Sequence, residues 1–229
     1  MTFAAFDLDG TLYTGHITVG LSRHHLQHRV KRVPLLLYMA SHLAMWPLWR
    51  VGLVSELAGR QAWIRDMAWL VRGWTEAQAQ TAFQWVATQY VLPRVRPDVL
   101  QRLEEHQAAG HRVLLVSGTL APMLQAIGRA VGVEETVGTV PLIENGRYTG
   151  ATLPPTCQGP GKPALLEEHL GSAAPALWER SYAYGDSFTD LELLQRVGHP
   201  VTVYPDPQLA AHARDHGWEI LSRDEPFAV

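Results

Sequence analysis

Four short apolar runs, each ending in polar residues, recur along the chain and indicate its architecture. They are TFAAFDL at 2–8, RVLLVS at 112–117, SYAYGD at 181–186 and HPVTVYPD at 199–206. Apolar runs of this length predict buried strands. The stretches DVLQRLEEHQAAG, LAPMLQAIGRAVG and KPALLEEHLG between them have helical patterns that end at or near glycines. Strands that alternate with such helices predict parallel βαβ crossovers and therefore an α/β fold.

A long segment without strand signals interrupts this alternation directly after the first run. Residues 14–95 have a helical pattern throughout and carry six of the eight tryptophans. At this chain length one large core with an inserted element is the expected organisation. We therefore predict a core domain of residues 1–13 and 96–229 and an inserted helical cap of residues 14–95.

Two short patterns predict local structure around this division. Thr75 followed by Gln78 matches a capping box and opens the last helix of the cap. The pair Asn145-Gly146 stands between apolar flanks in PLIENGRYTGATL, which is typical of a tight β-hairpin. The core should therefore carry a small hairpin beside its sheet.

The apolar segment VPLLLYMASHLAMWPLWRVGLV at 33–54 is long enough to span a bilayer. A span there would separate the first strand from the other three, so we predict instead a pair of cap helices. Pro34 and Pro47 would mark helix starts or kinks. An alternative is that this apolar surface rests on a membrane or admits an acyl chain.

The amino-acid composition limits which binding partners and which cellular compartment we expect. The formal net charge of −3 and the absence of blocks of like charge disfavour nucleic-acid binding. The single cysteine, Cys157, allows no internal disulfide and no cysteine metal cluster, which fits a reducing compartment. The first residues lack the pattern of a signal peptide. We expect a cytoplasmic protein, and its oligomeric state stays open.

The polar residues that follow the apolar runs form a candidate catalytic site. Ligands of parallel sheets bind beyond the carboxyl ends of the strands, so these side chains should meet at one rim. A carboxylate nucleophile, a hydroxyl donor, a cation and a second carboxylate together suit phosphoryl transfer. The residues concerned are Asp7, Ser117 or Thr119, Lys162 and Asp186.

The spacing of the two acids in FDLDGTLY indicates that they have different roles in one reaction. Asp7 and Asp9 stand at i and i+2, so they share one side of the chain as it leaves the sheet. Asp7 would attack phosphorus and form an aspartyl phosphate. Asp9 would protonate the leaving alkoxide and later activate water. Asp7 and Asp186 would hold Mg²⁺.

The remaining candidates would handle charge on the phosphate and around the metal. Lys162, Ser117 and backbone N–H groups would neutralise the equatorial oxygens. Asp190 lies one helical turn beyond Asp186 and would order the water shell of the metal.

Four motifs in order, DLDGTLY, LLVSGT, GPGKPALL and YGDSFTDLELL, resemble those of the haloacid dehalogenase superfamily of phosphohydrolases. The helical insert after the first motif and ENGRYTG before the lysine resemble subfamily IB, the phosphoserine-phosphatase-like branch. The resemblance covers nearly the whole chain and is weakest in the cap. It implies a Rossmann-like, doubly wound parallel sheet, a C1-type helical cap and Mg²⁺ as cofactor. It also implies site residues: Asp7 as nucleophile, Asp9 as acid/base, Ser117, Gly118 and Lys162 on phosphate, and Asp186 with the Asp9 backbone carbonyl on metal.

One departure from the family pattern concerns the substrate. Phosphoserine phosphatases carry a glutamate nine positions after the nucleophile, where this chain has His16. An imidazole cannot replace a carboxylate that faces an ammonium group. His16 is therefore either a substrate contact of different chemistry or a solvated residue of the first helical turn. His24, His25 and His28 lack ligand spacing, and we expect them on an exposed helix face.

The sequence therefore predicts a Mg²⁺-dependent phosphomonoester hydrolase that acts on a small organic phosphate other than phosphoserine. Two related alternatives are a phosphatase of a lysophospholipid-like phosphate and a phosphotransferase. A third, from another class, is a non-catalytic protein- or membrane-binding module. The retained Asp7, Asp9, Lys162 and Asp186 argue against that module, because such a protein needs no acidic metal pocket.

Overall fold

A six-stranded parallel sheet forms the centre of the protein, in the order β3-β2-β1-β6-β7-β8. The computed structural model describes residues 2–50, 62 and 65–222. All four apolar runs are confirmed as strands. The strands are β1 Phe3–Phe6, β2 Arg112–Leu120, β3 Glu135–Thr139, β6 Tyr182–Gly185, β7 His199–Val203 and β8 Glu219–Leu221, with a separate hairpin of β4 Pro141–Glu144 and β5 Arg147–Thr152.

Helices connect and flank the strands. They are α1 Ile17–Gln27, α2 Arg32–Arg50, α3 Glu76–Trp85, α4 Pro97–Ala108, α5 Ala121–Val131, α6 Gly161–Leu170, α7 Ala174–Leu177, α8 Leu191–Leu194 and α9 Pro207–Asp215. A π-helical segment, Val86–Val91, extends α3. The α/β doubly wound fold predicted from the sequence is confirmed.

The register of the central strands aligns their carboxyl ends. Phe6 of β1 lies opposite Leu115 of β2 and Tyr184 of β6. The Asp7 backbone N–H donates to the Tyr184 carbonyl at 2.9 Å, so the chain leaves the sheet beside β6. The residues that follow β1 and β6 therefore emerge side by side at one edge, as predicted.

One continuous apolar core joins the sheet to the helical insert. Phe6 and Leu115 of the sheet belong to the same buried cluster as Leu21, Phe83 and Val86 of the insert. Helix α3 and the π-helical segment also pack against α5. The division into a core of residues 1–13 and 96–229 and a cap of residues 14–95 stays a prediction.

The helix that opens with the capping box is confirmed. The Gln78 backbone N–H donates to Thr75 Oγ1 at 3.3 Å, and the Thr75 N–H donates to Gln78 Oε1 at 3.0 Å. The hairpin is confirmed too. Asn145 has φ 50° and Gly146 φ 70°, the left-handed values that a two-residue turn of this kind requires.

The apolar segment 33–54 differs from the expected helix pair as far as it is described. Helix α2 continues from Arg32 to Arg50, with Pro34 in its first turn and Pro47 within it. Residues 51–54, and Trp63 of the tryptophan-rich insert, lie outside the described residues. Among the helices that the structure describes, none combines the length and apolarity needed to cross a bilayer.

The histidines of α1 correct one expectation. His24 and His25 are buried, whereas their neighbour His28 is exposed. His25 Nε2 lies 2.8 Å from the Leu70 carbonyl oxygen, and its ring packs edge-on against Trp74. The prediction of an exposed histidine face was therefore wrong for His24 and His25, because Trp74 and Trp85 from later in the insert pack on that side of α1.

Candidate active site

A buried lysine lies between two carboxylates at the carboxyl edge of the sheet. Lys162 Nζ is 2.5 Å from Asp7 Oδ1 and 2.5 Å from Asp190 Oδ1. Asp7 directly follows β1, Lys162 stands in the first turn of α6, and Asp190 directly precedes α8. All three side chains are buried, so each charge depends on the others for compensation. The site thus holds the Lys162 ammonium in contact with two buried carboxylates.

Asp186 completes the cluster from the end of β6. Its Oδ1 accepts a hydrogen bond from Thr11 Oγ1 at 3.1 Å. A Cβ built on Gly10 would lie 2.1 Å from Asp186 Oδ2, and Gly10 has φ 82°. Both the close approach and the left-handed backbone require glycine here. This explains the glycine of DLDGT: it lets the loop after β1 pass against the Asp186 carboxylate.

Three carboxylates of the site lie close enough together to hold a metal ion. Oxygen atoms of Asp7, Asp186 and Asp190 all lie within 4.8 Å of one another. When ionised, these three carboxylates exceed the single positive charge of Lys162. Buried unpaired charge is unfavourable, and a hard divalent cation with oxygen ligands would compensate it. The residues therefore fit Mg²⁺, and Asp190 stands in the acidic group itself rather than only beyond it.

Burial dominates the protonation equilibria of the site. It raises the pKa of the Asp7 carboxyl to about 7, while the Lys162 ammonium acts in the opposite direction. It raises the pKa of Asp186 to about 8, with the Asp190 and Asp7 carboxylates adding to the effect. Burial lowers the pKa of Lys162, but those same two carboxylates outweigh it and raise the pKa above its ordinary value. A bound cation would favour the ionised carboxylates.

The Asp9 carboxylate has different hydrogen-bond partners from the Asp7 carboxylate. Its Oδ1 accepts a hydrogen bond from the Tyr13 hydroxyl at 2.6 Å. The Ile17 backbone N–H, at the first position of α1, lies 3.1 and 3.0 Å from its two carboxylate oxygens. A helix N-terminus favours negative charge, yet burial raises the pKa of Asp9 above its ordinary value. Asp9 is thus oriented and half-buried, which suits a group that gives and takes a proton.

Ser117 and Gly118 lie at a bulge near the end of β2. The pairing of β2 with β3 shifts register between Ser117 and Leu120. Ser117 Oγ donates to Thr119 Oγ1 at 3.1 Å and accepts from the Thr119 N–H at 3.2 Å. Both hydroxyl side chains are buried on the strand beside β1. Their role as phosphate ligands stays a prediction.

His16 and Cys157 stand at the margins of the site. His16 is exposed at the start of α1, close enough to Asp9 to oppose in part the burial that raises the pKa of that carboxyl. Cys157 is buried, as is usual for a free cysteine, and burial raises its pKa to about 12. The thiol is therefore not a nucleophile near neutral pH.

Supporting contacts made by Arg96, Thr11 and Tyr13 were not predicted from the sequence. Arg96 Nε donates to the Gly10 carbonyl at 3.1 Å, and its guanidinium lies 4.0 Å from the centroid of the Tyr204 ring. Thr11 and Tyr13 orient the two acids described above. The threonine of DLDGT offered a signal for its role, whereas Arg96 is 86 residues from Gly10 and offered none.

Comparisons with known proteins agree with this geometry. Residues 4–195 match the profile of the family described as haloacid dehalogenase-like hydrolase. A probable phosphatase of Mycobacterium tuberculosis is 33% identical over 229 residues, covering 100% of this chain and 77% of that protein.

Two solved structures share the fold. One is a protein of unknown function from Bordetella pertussis Tohama I, with a TM-score of 0.80, 23% identity, and coverage of 97% of this chain and 99% of that one. The other is a phosphoserine phosphatase in apo form, with a TM-score of 0.63, 14% identity, and coverage of 96% and 92%.

The family profile and the phosphatase relative, on a chain whose parallel sheet gathers a carboxylate–lysine cluster and an acidic group that could hold a metal ion, identify an enzyme of the hydrolase class that acts on phosphoric monoester bonds. The chain belongs to the haloacid dehalogenase-like hydrolase family, whose profile spans most of its length.

Proposed function

We propose that the protein is a Mg²⁺-dependent phosphomonoester hydrolase that works through an aspartyl phosphate on Asp7. The observation that carries this proposal is the buried cluster in which Lys162 contacts both Asp7 and Asp190, with Asp186 beside them. Asp7, Asp186, Asp190 and the Asp9 backbone carbonyl are the groups that would hold the metal. When bound, Mg²⁺ supplies positive charge that lets a phosphate dianion approach a carboxylate.

In the first step Asp7 Oδ attacks phosphorus, and the bond from phosphorus to the ester oxygen breaks. Asp9 delivers its proton to that oxygen, so the leaving group departs as a neutral alcohol. Tyr13 and the Ile17 N–H hold the Asp9 carboxyl in a fixed orientation. Lys162 neutralises charge on the transferring phosphoryl group.

In the second step water attacks the phosphorus of the aspartyl phosphate. Asp9, now ionised, takes a proton from this water. The bond between the Asp7 oxygen and phosphorus breaks, which releases phosphate and regenerates the Asp7 carboxylate. Splitting hydrolysis in this way replaces one difficult displacement by two easier ones.

The substrate we propose is a small organic phosphate other than phosphoserine. His16 stands where a carboxylate would be needed to pair with a substrate ammonium group. A lysophospholipid-like phosphate is a second candidate, because α2 exposes large apolar side chains to solvent. Transfer of the phosphoryl group to another alcohol would need only a different acceptor in the second step. The cytoplasm stays our proposal for the compartment.

A panel of phosphomonoesters tests this function. It includes phosphoserine, sugar phosphates, nucleotides and lysophosphatidate, each with Mg²⁺ or with EDTA, and Asp7→Asn is the control variant. We expect phosphate release that requires both the metal and Asp7, with phosphoserine among the poor substrates. Metal-independent release, or release that survives Asp7→Asn, would contradict the proposed mechanism.

A further inference from the structure

Helix α2 is apolar on both its inner and its outer side. Leu35 and Tyr38 are buried on the inner side. Five large side chains on the other positions are exposed, and we call them the α2 outer face: Val33 (67% exposed), Leu36 (68%), Leu37 (59%), Met39 (49%) and Leu43 (73%).

The side chains of the α2 outer face lie next to one another, unlike apolar residues that are scattered singly over a protein surface. At 3.6 residues per turn, Val33, Leu36, Leu37 and Leu43 fall on one side of the helix, along about three turns. A helix that is apolar all round is normally found inside a protein or in contact with lipid. A contiguous apolar surface of this kind marks an interaction site.

Along the chain this surface is flanked by positive charges, and the acidic Asp66 contacts His42 on the inner side of α2 rather than the outer face. Residues 10–55 contain five Lys or Arg and no Asp or Glu. Arg29 and Arg32 are exposed directly before and at the start of α2. This combination of an apolar face and flanking cations is typical of helices that lie in the interface of an anionic membrane.

We propose that the α2 outer face, with Arg29 and Arg32, docks on the surface of an anionic lipid bilayer. The helix lies on such a surface rather than across it, since no described helix can span a membrane. A second copy of the chain is a poorer partner, because its own residues 29–43 contain no acidic side chain to pair with Arg29 and Arg32. Docking goes beyond phosphatase activity and does not depend on the chemistry at Asp7.

Vesicle binding tests the proposal directly. The full chain is sedimented with vesicles of phosphatidylcholine alone and of equal parts phosphatidylcholine and phosphatidylglycerol. We expect binding to the anionic vesicles that weakens as salt rises. Leu36→Ser with Leu37→Ser should lower the partition coefficient by about tenfold or more, because two apolar side chains no longer enter the interface. Arg29→Gln with Arg32→Gln should lower it by about fivefold per charge.

A matched variant distinguishes the contribution of the α2 outer face from general effects of replacing an exposed leucine by serine. Leu153→Ser makes the same change at a residue that is 46% exposed but lies outside the insert, and it should leave binding unchanged. Hydrolysis of a small soluble phosphate should be equal in all these variants, which checks that they fold. The proposal is wrong if wild type ignores anionic vesicles or if the α2 variants bind as well as wild type. It is also wrong if the α2 leucines instead support a dimer in sedimentation equilibrium.

Discussion

The carboxyl edge of the sheet and the outer face of α2 both break the rule that charge stays outside and apolar groups inside. At the sheet edge, burial of Asp7, Lys162 and Asp190 is compensated by contacts of 2.5 Å between them. On the α2 outer face, five apolar side chains meet solvent. The comparison shows that buried charged side chains are stabilised by partners within the chain. Exposed apolar side chains, in contrast, indicate a binding partner outside the chain.

The largest expected effect comes from removing the cation of the sheet edge. Lys162→Met leaves the buried carboxylates without their positive partner, so metal-free protein should lose about 3–5 kcal/mol of unfolding free energy. Phosphate release should fall as well, by about a hundredfold or more. Urea unfolding and kinetics measure the two effects. Lys31→Met is the matched control in the insert, where Lys31 Nζ donates to the Arg72 carbonyl at 2.5 Å. Equal loss in both variants would contradict a special role for Lys162.

A second substitution separates the two acids of the first motif. Asp9→Asn keeps the hydrogen-bonding shape but cannot donate a proton, so kcat should fall about 10²- to 10⁴-fold. In kcat/KM, which reports the first step, the loss should be much smaller for an aryl phosphate, whose leaving group needs no proton; the second step loses its base with either substrate. A loss in kcat/KM that is equal for alkyl and aryl phosphates would show that Asp9 is not the general acid.

A pH dependence is expected from His24, one of the two buried histidines of α1. Burial, with His25 and His28 nearby, lowers the pKa of His24 from 6.5 to about 4. The unfolded chain therefore binds more protons between these pH values, and stability is lost as pH falls from about 6.5 to 4. The contribution of His24 is at most about 3 kcal/mol. The unfolding free energy, measured at a series of pH values, should depend less steeply on pH for His24→Gln than for His28→Gln, the control at an exposed site. An unchanged slope would contradict this account.

A smaller effect is expected from the residue that orients Asp9. Tyr13→Phe removes the hydroxyl that lies 2.6 Å from Asp9 Oδ1. We expect kcat to fall about tenfold and stability by about 1 kcal/mol. Steady-state kinetics with an alkyl phosphate measures the first effect. A normal kcat would show that the Ile17 N–H alone suffices to orient the acid.

The smallest effect is expected on the α2 outer face. Leu37→Ser should change the unfolding free energy by no more than about 0.5 kcal/mol, because the side chain is already in solvent. Leu35→Ser is the matched control two residues away on the buried side, and it should cost about 2–5 kcal/mol. Similar losses in thermal unfolding would mean that both sides of α2 are packed.

Most of the sheet edge could be predicted from the sequence because parallel strands end at a common edge. Asp7 and Asp186 follow apolar runs, and their neighbouring positions follow from strand order. The contact between Lys162 and Asp190 could not be predicted in this way, since it depends on how α6 and α8 pack. Two strands, β3 and β8, were missed because ETVGT is polar and EIL has only three residues.

The insert was harder to predict because its helices are apolar on more than one side. The periodicity of α2 does not distinguish Leu35, which is buried, from Leu36, which is exposed. The burial of His24 and His25 depends on Trp74 and Trp85, which lie about 50 or more residues further along the chain. Such long-range packing leaves little trace in local pattern.

The most direct test of the central claim is chemical detection of a phosphoryl group on Asp7. Protein mixed with a rapidly hydrolysed substrate and Mg²⁺ is quenched in acid within one turnover, digested, and analysed by mass spectrometry. The account predicts a phosphorylated peptide that contains Asp7 and is absent with EDTA and in Asp7→Asn. Turnover without any phosphorylated peptide, or a label on another residue, would contradict Asp7 as the nucleophile.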